Sequence, residues 1–190
     1  MITELIKKLK PFLMDSDINI AEKTGKAIHR LQAKAFFENM LSEFAKLTEE
    51  KKTKLINELK AVSPKNYLEY ITLGLSDDSK YVRALTIKQI IEFNDPRLIE
   101  KVLPLINDKE SIVRKVAYDF LGLFGIEKLT PILNKKLEQE DDPEALISLI
   151  DAIASIGHID SLNYLLKMLE KETKPSIRGK LIEAIGKLKI

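Results

Sequence analysis

An all-α array of stacked helix pairs is the fold this chain predicts, and three observations predict it. Val82, Val113, Ala145 and Ile177 hold equivalent places, at separations of 31, 32 and 32 residues. A fixed period of that size is the signature of a repeat array. Around each of these residues the apolar positions recur at helical spacing. Between the helices the same punctuation returns. Asn94, Gly125 and Gly157 share one repeat position, and the acidic turns Asp77-Asp78, Asn107-Asp108 and Asp141-Asp142 fall close to another.

The N-terminal third is the least regular. Residues 3–13 and 18–31 predict one helix pair, and residues 33–47 and 49–62 a second, with Thr48 as a cap. Phe37, Met40, Leu41 and Phe44 form an i, i+3, i+4, i+7 stripe suited to core packing, and Phe36 falls off it. Ser63 and Pro64 end this part. A terminal repeat departs from the pattern because one of its sides meets water. The expected organisation is therefore residues 1–64 as degenerate repeats and 65–190 as four regular ones, in one continuous solenoid.

The regular unit is clearest at residues 95–125. Asn94 tolerates the left-handed conformation that ends a helix, Asp95 can cap the next one, and Pro96 fits its first position. A first helix is predicted over residues 97–106, with Leu98, Val102, Leu105 and Ile106 on one face. A polar turn, residues 107–111, leads to a second helix carrying Val113, Val116, Ala117, Phe120, Leu121 and Phe124. Gly125 stops it where a positive φ is cheapest. Upstream, residues 67–75 and a helix with Val82, Leu85, Ile90 and Phe93 repeat this order. Downstream come residues 129–137 with a helix through Ile156, then residues 162–169 with a helix through Leu188. Pro104 and Pro131 fall within predicted first helices, so kinks are expected there rather than helix ends.

Composition bounds the chemistry. Of 190 residues, 45% are hydrophobic and 32% charged, enough apolar matter for a core. Residues 1–63 hold 12 Lys and Arg against 9 Asp and Glu, and residues 64–190 hold 19 against 20, so neither part is a charged tail. There is no cysteine, which excludes disulfides, thiolate nucleophiles and cysteine-based metal sites. No apolar run suits a signal peptide or a membrane span, and a cytoplasmic location is expected. The balance of Lys, Glu and Ile resembles thermophile usage.

The unit DPRLIEKVLPLINDKESIVRKVAYDFLGLFG resembles the HEAT-like repeat, in the short form found in bilin-lyase accessory subunits. The matching features are Asp95-Pro96-Arg97, the acidic turn at Asp108, Val113-Arg114 opening the second helix, and Gly125 closing it. The likeness covers residues 66–190 well and 1–64 loosely. It implies a right-handed superhelix of about six helix pairs. It also implies a ladder in which Arg83, Arg114 and Arg178 pair with the turn acids Asp78, Asp108 and Asp142, since a planar guanidinium matches carboxylates in two-pronged fashion. Leu146 replaces the arginine in the third unit and should interrupt the ladder.

The outward positions of the second helices are expected to line the concave side. Lys88, Asp119, Asp151 and Glu183 fall at one repeat position, and Ala84, Lys115, Ile147 and Gly179 at another. Between them lie Ile87, Tyr118, Ile150 and Ile182, suited to contact between repeats. The three carboxylates make an acidic border that favours a basic partner and repels phosphate. Lys88, Lys115, Asp119, Asp151 and Glu183 are the candidate partner-binding residues.

Other chemistries lack their residues. His29 and His158 stand in distant repeats, neither followed by Glu, whereas the di-iron hydroxylases built on HEAT-like repeats need several His-Glu pairs. Zinc needs about four suitably spaced ligands. No G-x-S-x-G or phosphate-binding glycine loop occurs. Lys51, Lys52 and Lys54 are offset by Glu49 and Glu50, and the aromatic-lined basic face of HEAT-like DNA glycosylases has no Trp to build it here. The predicted function is a non-catalytic protein–protein interaction scaffold. It is expected to be a monomer with no cofactor, no metal and no catalytic residue. The alternatives are a nucleic-acid-binding solenoid and an accessory subunit of an enzyme.

Overall fold

The computed structural model describes residues 1–62 and 67–189. The fold is all-α: the described residues form helices and 3₁₀ turns joined by short loops, and no strand occurs among them. It divides into two units, Met1–Gly74 and Leu75–Ile190.

In the first unit α1 (Ile2–Leu9) passes into a 3₁₀ turn, Lys10–Met14, at Pro11. Proline at that place cannot continue the α-helical hydrogen bonding. Asp17 then opens α2 by accepting the Asn19 N–H at 2.8 Å. Helix α2 (Ile18–Ser42) runs unbroken, so the division expected near residues 31–33 is absent. No proline lies within it, and its only glycine, Gly25, costs a helix interior only about 1 kcal/mol. Helices α3 (Glu49–Val62) and α4 (Tyr67–Leu75) follow. Helix α2 packs on α1 and α3, and Ile28, Phe44, Leu55, Ile56 and Ile71 are buried. Ser63 and Pro64, and the side chains of Phe36, Phe37, Met40 and Leu41, lie outside the described residues.

The second unit is an α-solenoid. Its second helices are α5 (Lys80–Phe93), α7 (Ser111–Phe124), α9 (Pro143–Ile156) and α11 (Pro175–Gly186). The first helices between them are α6 (Ile99–Val102), α8 (Thr130–Leu137) and α10 (Leu162–Lys171). Helix α5 packs on α7, α7 on α9 and α9 on α11. Each helix thus buries its apolar stripe against sequence neighbours, as a repeat array requires. Val82, Val113, Ala145 and Ile177 are the third residues of the four second helices, and all four are buried.

The helix ends show which local rules operate. Ser79 caps α5, and Asp142 caps α9 by accepting the N–H groups of Glu144 and Ala145, both at 3.0 Å. Asn94 ends α5 at φ 55, and Gly157 ends α9 at φ 70. Gly125 differs from expectation: it ends α7 in extended backbone at φ −65. Space is its constraint. A Cβ there would stand 2.2 Å from the Leu121 carbonyl oxygen and 3.0 Å from Ile156 Cδ1.

The two prolines also behave otherwise than expected. Helix α8 begins at Thr130, so Pro131 occupies its opening turn, where a missing N–H costs nothing. At Pro104 the α-helix does end. Helix α6 stops at Val102, and the chain continues as a 3₁₀ turn, Leu103–Asn107. An α-helix carried through Pro104 would set its ring against the carbonyl four residues back.

Candidate functional site

Two rows of polar residues follow the repeat. The first joins successive repeats. Arg83 donates through Nε and Nη2 to the Asp108 carboxylate at 2.7 and 2.8 Å, while its Nη1 donates to the carbonyls of Asp77 and Asp78 at 2.7 and 2.9 Å. Arg114 repeats this one unit on. Its Nε and Nη2 grip the Glu140 carboxylate at 2.8 and 2.7 Å, and its Nη1 takes the carbonyls of Asp108 and Lys109 at 3.0 and 3.2 Å. Each guanidinium therefore pins its own turn with one corner and the next repeat's acid with the opposite edge. Arg178 uses the first corner alone, donating through Nη1 to the carbonyls of Leu169 and Glu172, both at 2.9 Å.

Two expected partners are corrected. Asp78 meets Arg83 through its carbonyl, and Asp142 caps α9. The acid that Arg114 holds is Glu140, which sequence reasoning passed over. A signal for it existed. Asp77, Asp108, Glu140 and Glu172 are spaced by 31, 32 and 32 residues. Each accepts the backbone N–H two residues on, at Ser79, Glu110, Asp142 and Lys174. This shared turn fixes the carboxylate at the mouth of the second helix. The rung missing at Leu146 leaves Glu172 holding only the N–H groups of Thr173 and Lys174 among the contacts described.

Burial sharpens these pairs. The Glu140 side chain is 1% exposed and that of Arg114 15%. Burial by itself would raise the Glu140 carboxyl, but the Arg114 guanidinium, the Asp142 N–H and the Tyr118 hydroxyl hold it below the usual range. Asp108 is lowered against the same opposing burial by Arg83 and the Glu110 N–H. Tyr118, fully buried, donates to Glu140 at 3.1 Å. Burial, then the neighbouring Glu140 charge, pushes its hydroxyl upward.

The second row lies on the exposed side of the second helices. Lys88 is exposed, Asp119 and Asp151 are half-buried, and Glu183 is exposed. Their apolar neighbours Ile87, Tyr118 and Ile150 are fully buried, so the row sits at the edge of the inter-repeat core. Lysines interleave with the acids. Lys115 meets Asp119 at 3.1 Å, Lys180 meets Asp151 at 3.0 Å and Glu183 at 3.8 Å, and Lys187 meets Glu183 at 2.6 Å. The row is thus one of mixed charge, with a lysine beside each of the three carboxylates. Of the second set, Ala84 is buried, Lys115 and Ile147 are half-buried, and Gly179 is exposed.

Among the described residues no group of three or more His, Asp or Glu side chains could hold a metal ion. His158 accepts the Asp160 N–H at its Nδ1 and caps a 3₁₀ turn. Among the described residues no helix is long and apolar enough to cross a membrane. Residues 68–145 match the family model described as HEAT repeats. No curated protein matches the chain.

Proposed function

We propose, for what is a HEAT-like repeat protein, a non-catalytic scaffold that binds a protein partner along the exposed row of its second helices. HEAT repeats generally mediate protein–protein interaction. The observation that carries the assignment to this face is the register of Lys88, Asp119, Asp151 and Glu183. One charged side chain per repeat stays accessible on four successive second helices, beside a buried apolar one on the first three. A stack of parallel helices sets such positions at roughly 10 Å steps, a pitch that an extended or helical segment can follow. Because Lys115, Lys180 and Lys187 pair with all three acids, the complementary partner carries both signs of charge. Salt should weaken the encounter more than the final complex.

The test is charge reversal at Asp119, Asp151 and Glu183 together, followed by affinity capture from the native lysate on both proteins. A protein held by the wild type and lost from the variant supports the proposal. The same proteins held equally by both would remove this face from consideration. A gel shift that falls steeply with salt would favour nucleic acid instead.

A further inference from the structure

The ladder lacks one arginine, yet the groups that would receive it are in place. Arg83 and Arg114 each lay one guanidinium corner on two turn carbonyls and the opposite edge on the next repeat's acid. In the third repeat Leu146 stands where they stand. The carbonyls that a rung would take there are those of Glu140 and Asp141, the counterparts of Asp108 and Lys109. Neither accepts a hydrogen bond among the described residues. The acid it would take is Glu172. The N–H groups of Thr173 and Lys174 hold its Oε1, both at 2.8 Å, and no donor among the described residues reaches its Oε2.

A leucine side chain ends at Cδ, where the guanidinium of an arginine begins. Leu146 therefore fills the place of the stem and leaves that of the head. A groove of about 510 Å³ opens between these two turns, lined by both Glu140 and Glu172. Its size lies within the range of ligand sites, roughly 300–1,000 Å³. Tyr164, 42% exposed, and Met168 line it as well. The other charges of the groove already answer one another. Lys167 meets Glu138 at 2.6 Å, Lys171 acts on the same carboxylate, and the Glu140 carboxylate belongs to Arg114 and Tyr118. Glu172 is left as the acid with a vacant oxygen.

We infer that this groove receives an arginine side chain from an exposed segment of a partner protein, which completes in trans the rung missing at Leu146. A planar fork can meet two carbonyls and a carboxylate at once and stack on a tyrosine ring, which a lysine ammonium does less well. HEAT repeats generally mediate protein–protein interaction, so the source is a chain rather than a free amino acid. None of Lys88, Asp119, Asp151 and Glu183 lines the groove, so it stands or falls apart from the charged row.

The isotope-labelled full-length chain can be titrated with the blocked tripeptide acetyl-Gly-Arg-Gly-amide and followed by amide shifts in NMR. Saturable shifts at Tyr164, Glu172 and Thr173 are expected, with a Kd of roughly 1–10 mM for a single anchored side chain. Citrulline in place of the peptide's arginine keeps the shape and removes the charge, and should weaken binding about tenfold. A lysine tripeptide should also bind more weakly. Glu172→Gln should cost the arginine peptide about tenfold and the citrulline peptide little, since both changes remove one contact. Leu146→Arg should abolish binding by filling the slot from within. The citrulline comparison leaves the protein unaltered, so a folding defect cannot mimic it. Reversal of Asp119, Asp151 and Glu183 should leave tripeptide binding unchanged, which separates failure here from failure of the row. Equal affinity for the arginine and citrulline peptides, shifts gathered at the row instead, or no saturation would overturn the inference. Free L-arginine binding more tightly than the blocked tripeptide would also overturn it, by assigning the groove to a small molecule.

Discussion

Arg114 and Glu140 meet across a repeat boundary through two hydrogen bonds of 2.8 and 2.7 Å, with the carboxylate sealed from water. Tyr118 and the Asp142 N–H take up the remaining acceptor capacity at 3.1 and 3.2 Å. Fully satisfied, such a group holds two repeats in one relation. Breaking it strands a charge. Arg114→Ala should lower the unfolding free energy by about 3 kcal/mol. Tyr118→Phe, which removes a single neutral donor, should cost about 1 kcal/mol. Urea unfolding measures both, and a loss from Arg114→Ala no larger than that from Tyr118→Phe would contradict this ranking.

The same acids set the response to pH. Asp108 and Glu140 lie below their ordinary values of 3.8 and 4.5 in the folded chain. Groups lowered by folding give stability that is fully present above the ordinary value and is lost as pH falls through the folded one. The melting temperature should hold level down to about pH 5 and then drop. In Arg114→Ala the acid limb should be shallower, because Glu140 no longer has the cation that lowers it. Tyr118 acts at the opposite end. Its raised value gives stability present below its ordinary 10.0 and lost as pH climbs above that. A melting temperature unchanged between pH 6 and about 2.5 would refute the acid limb.

Leu146 occupies the place of Arg83 and Arg114 in the third unit and is buried. Glu172 lies 26 residues on, the separation of Arg114 from Glu140. Leu146→Ala should cost about 2–4 kcal/mol through lost packing. Leu146→Arg should cost less than the alanine variant, because its stem refills the site and its fork reaches Glu172. Adding Glu172→Gln should remove that advantage. If the arginine variant is the less stable of the two, the third repeat has no room for a rung.

How much of this was legible follows from what each residue answers to. Val82, Val113, Ala145 and Ile177 could be found because burial on a periodic helix face leaves a periodic trace in residue type. Glu140 could not be found by type, since three carboxylates stand side by side in that turn and only the helix start decides which one faces inward. Asp142, nearest the helix, is taken by the cap. Pro131 and Pro104 carry the same letter and differ only in distance from a helix start that periodicity locates to within a few residues. Ile150 and Ile182 differ in nothing local at all. One is covered by α11, and the other belongs to α11.

Gly125 and Gly179 separate packing from backbone entropy. A Cβ on Gly125 would fall 2.2 Å from the Leu121 carbonyl oxygen, against backbone that cannot swing aside. Gly125→Ala must shift the end of α7 against Ile156, and about 1–3 kcal/mol of stability should be lost. Gly179 sits inside α11, and a Cβ there would meet nothing within 4 Å. Alanine spares the entropy that glycine loses on becoming helical, so Gly179→Ala should gain about 0.5–1 kcal/mol. Thermal unfolding of the two variants should therefore move the melting temperature in opposite directions. A gain from Gly125→Ala would mean that the α7 terminus yields freely, and a loss from Gly179→Ala would mean that α11 is not helical through that residue.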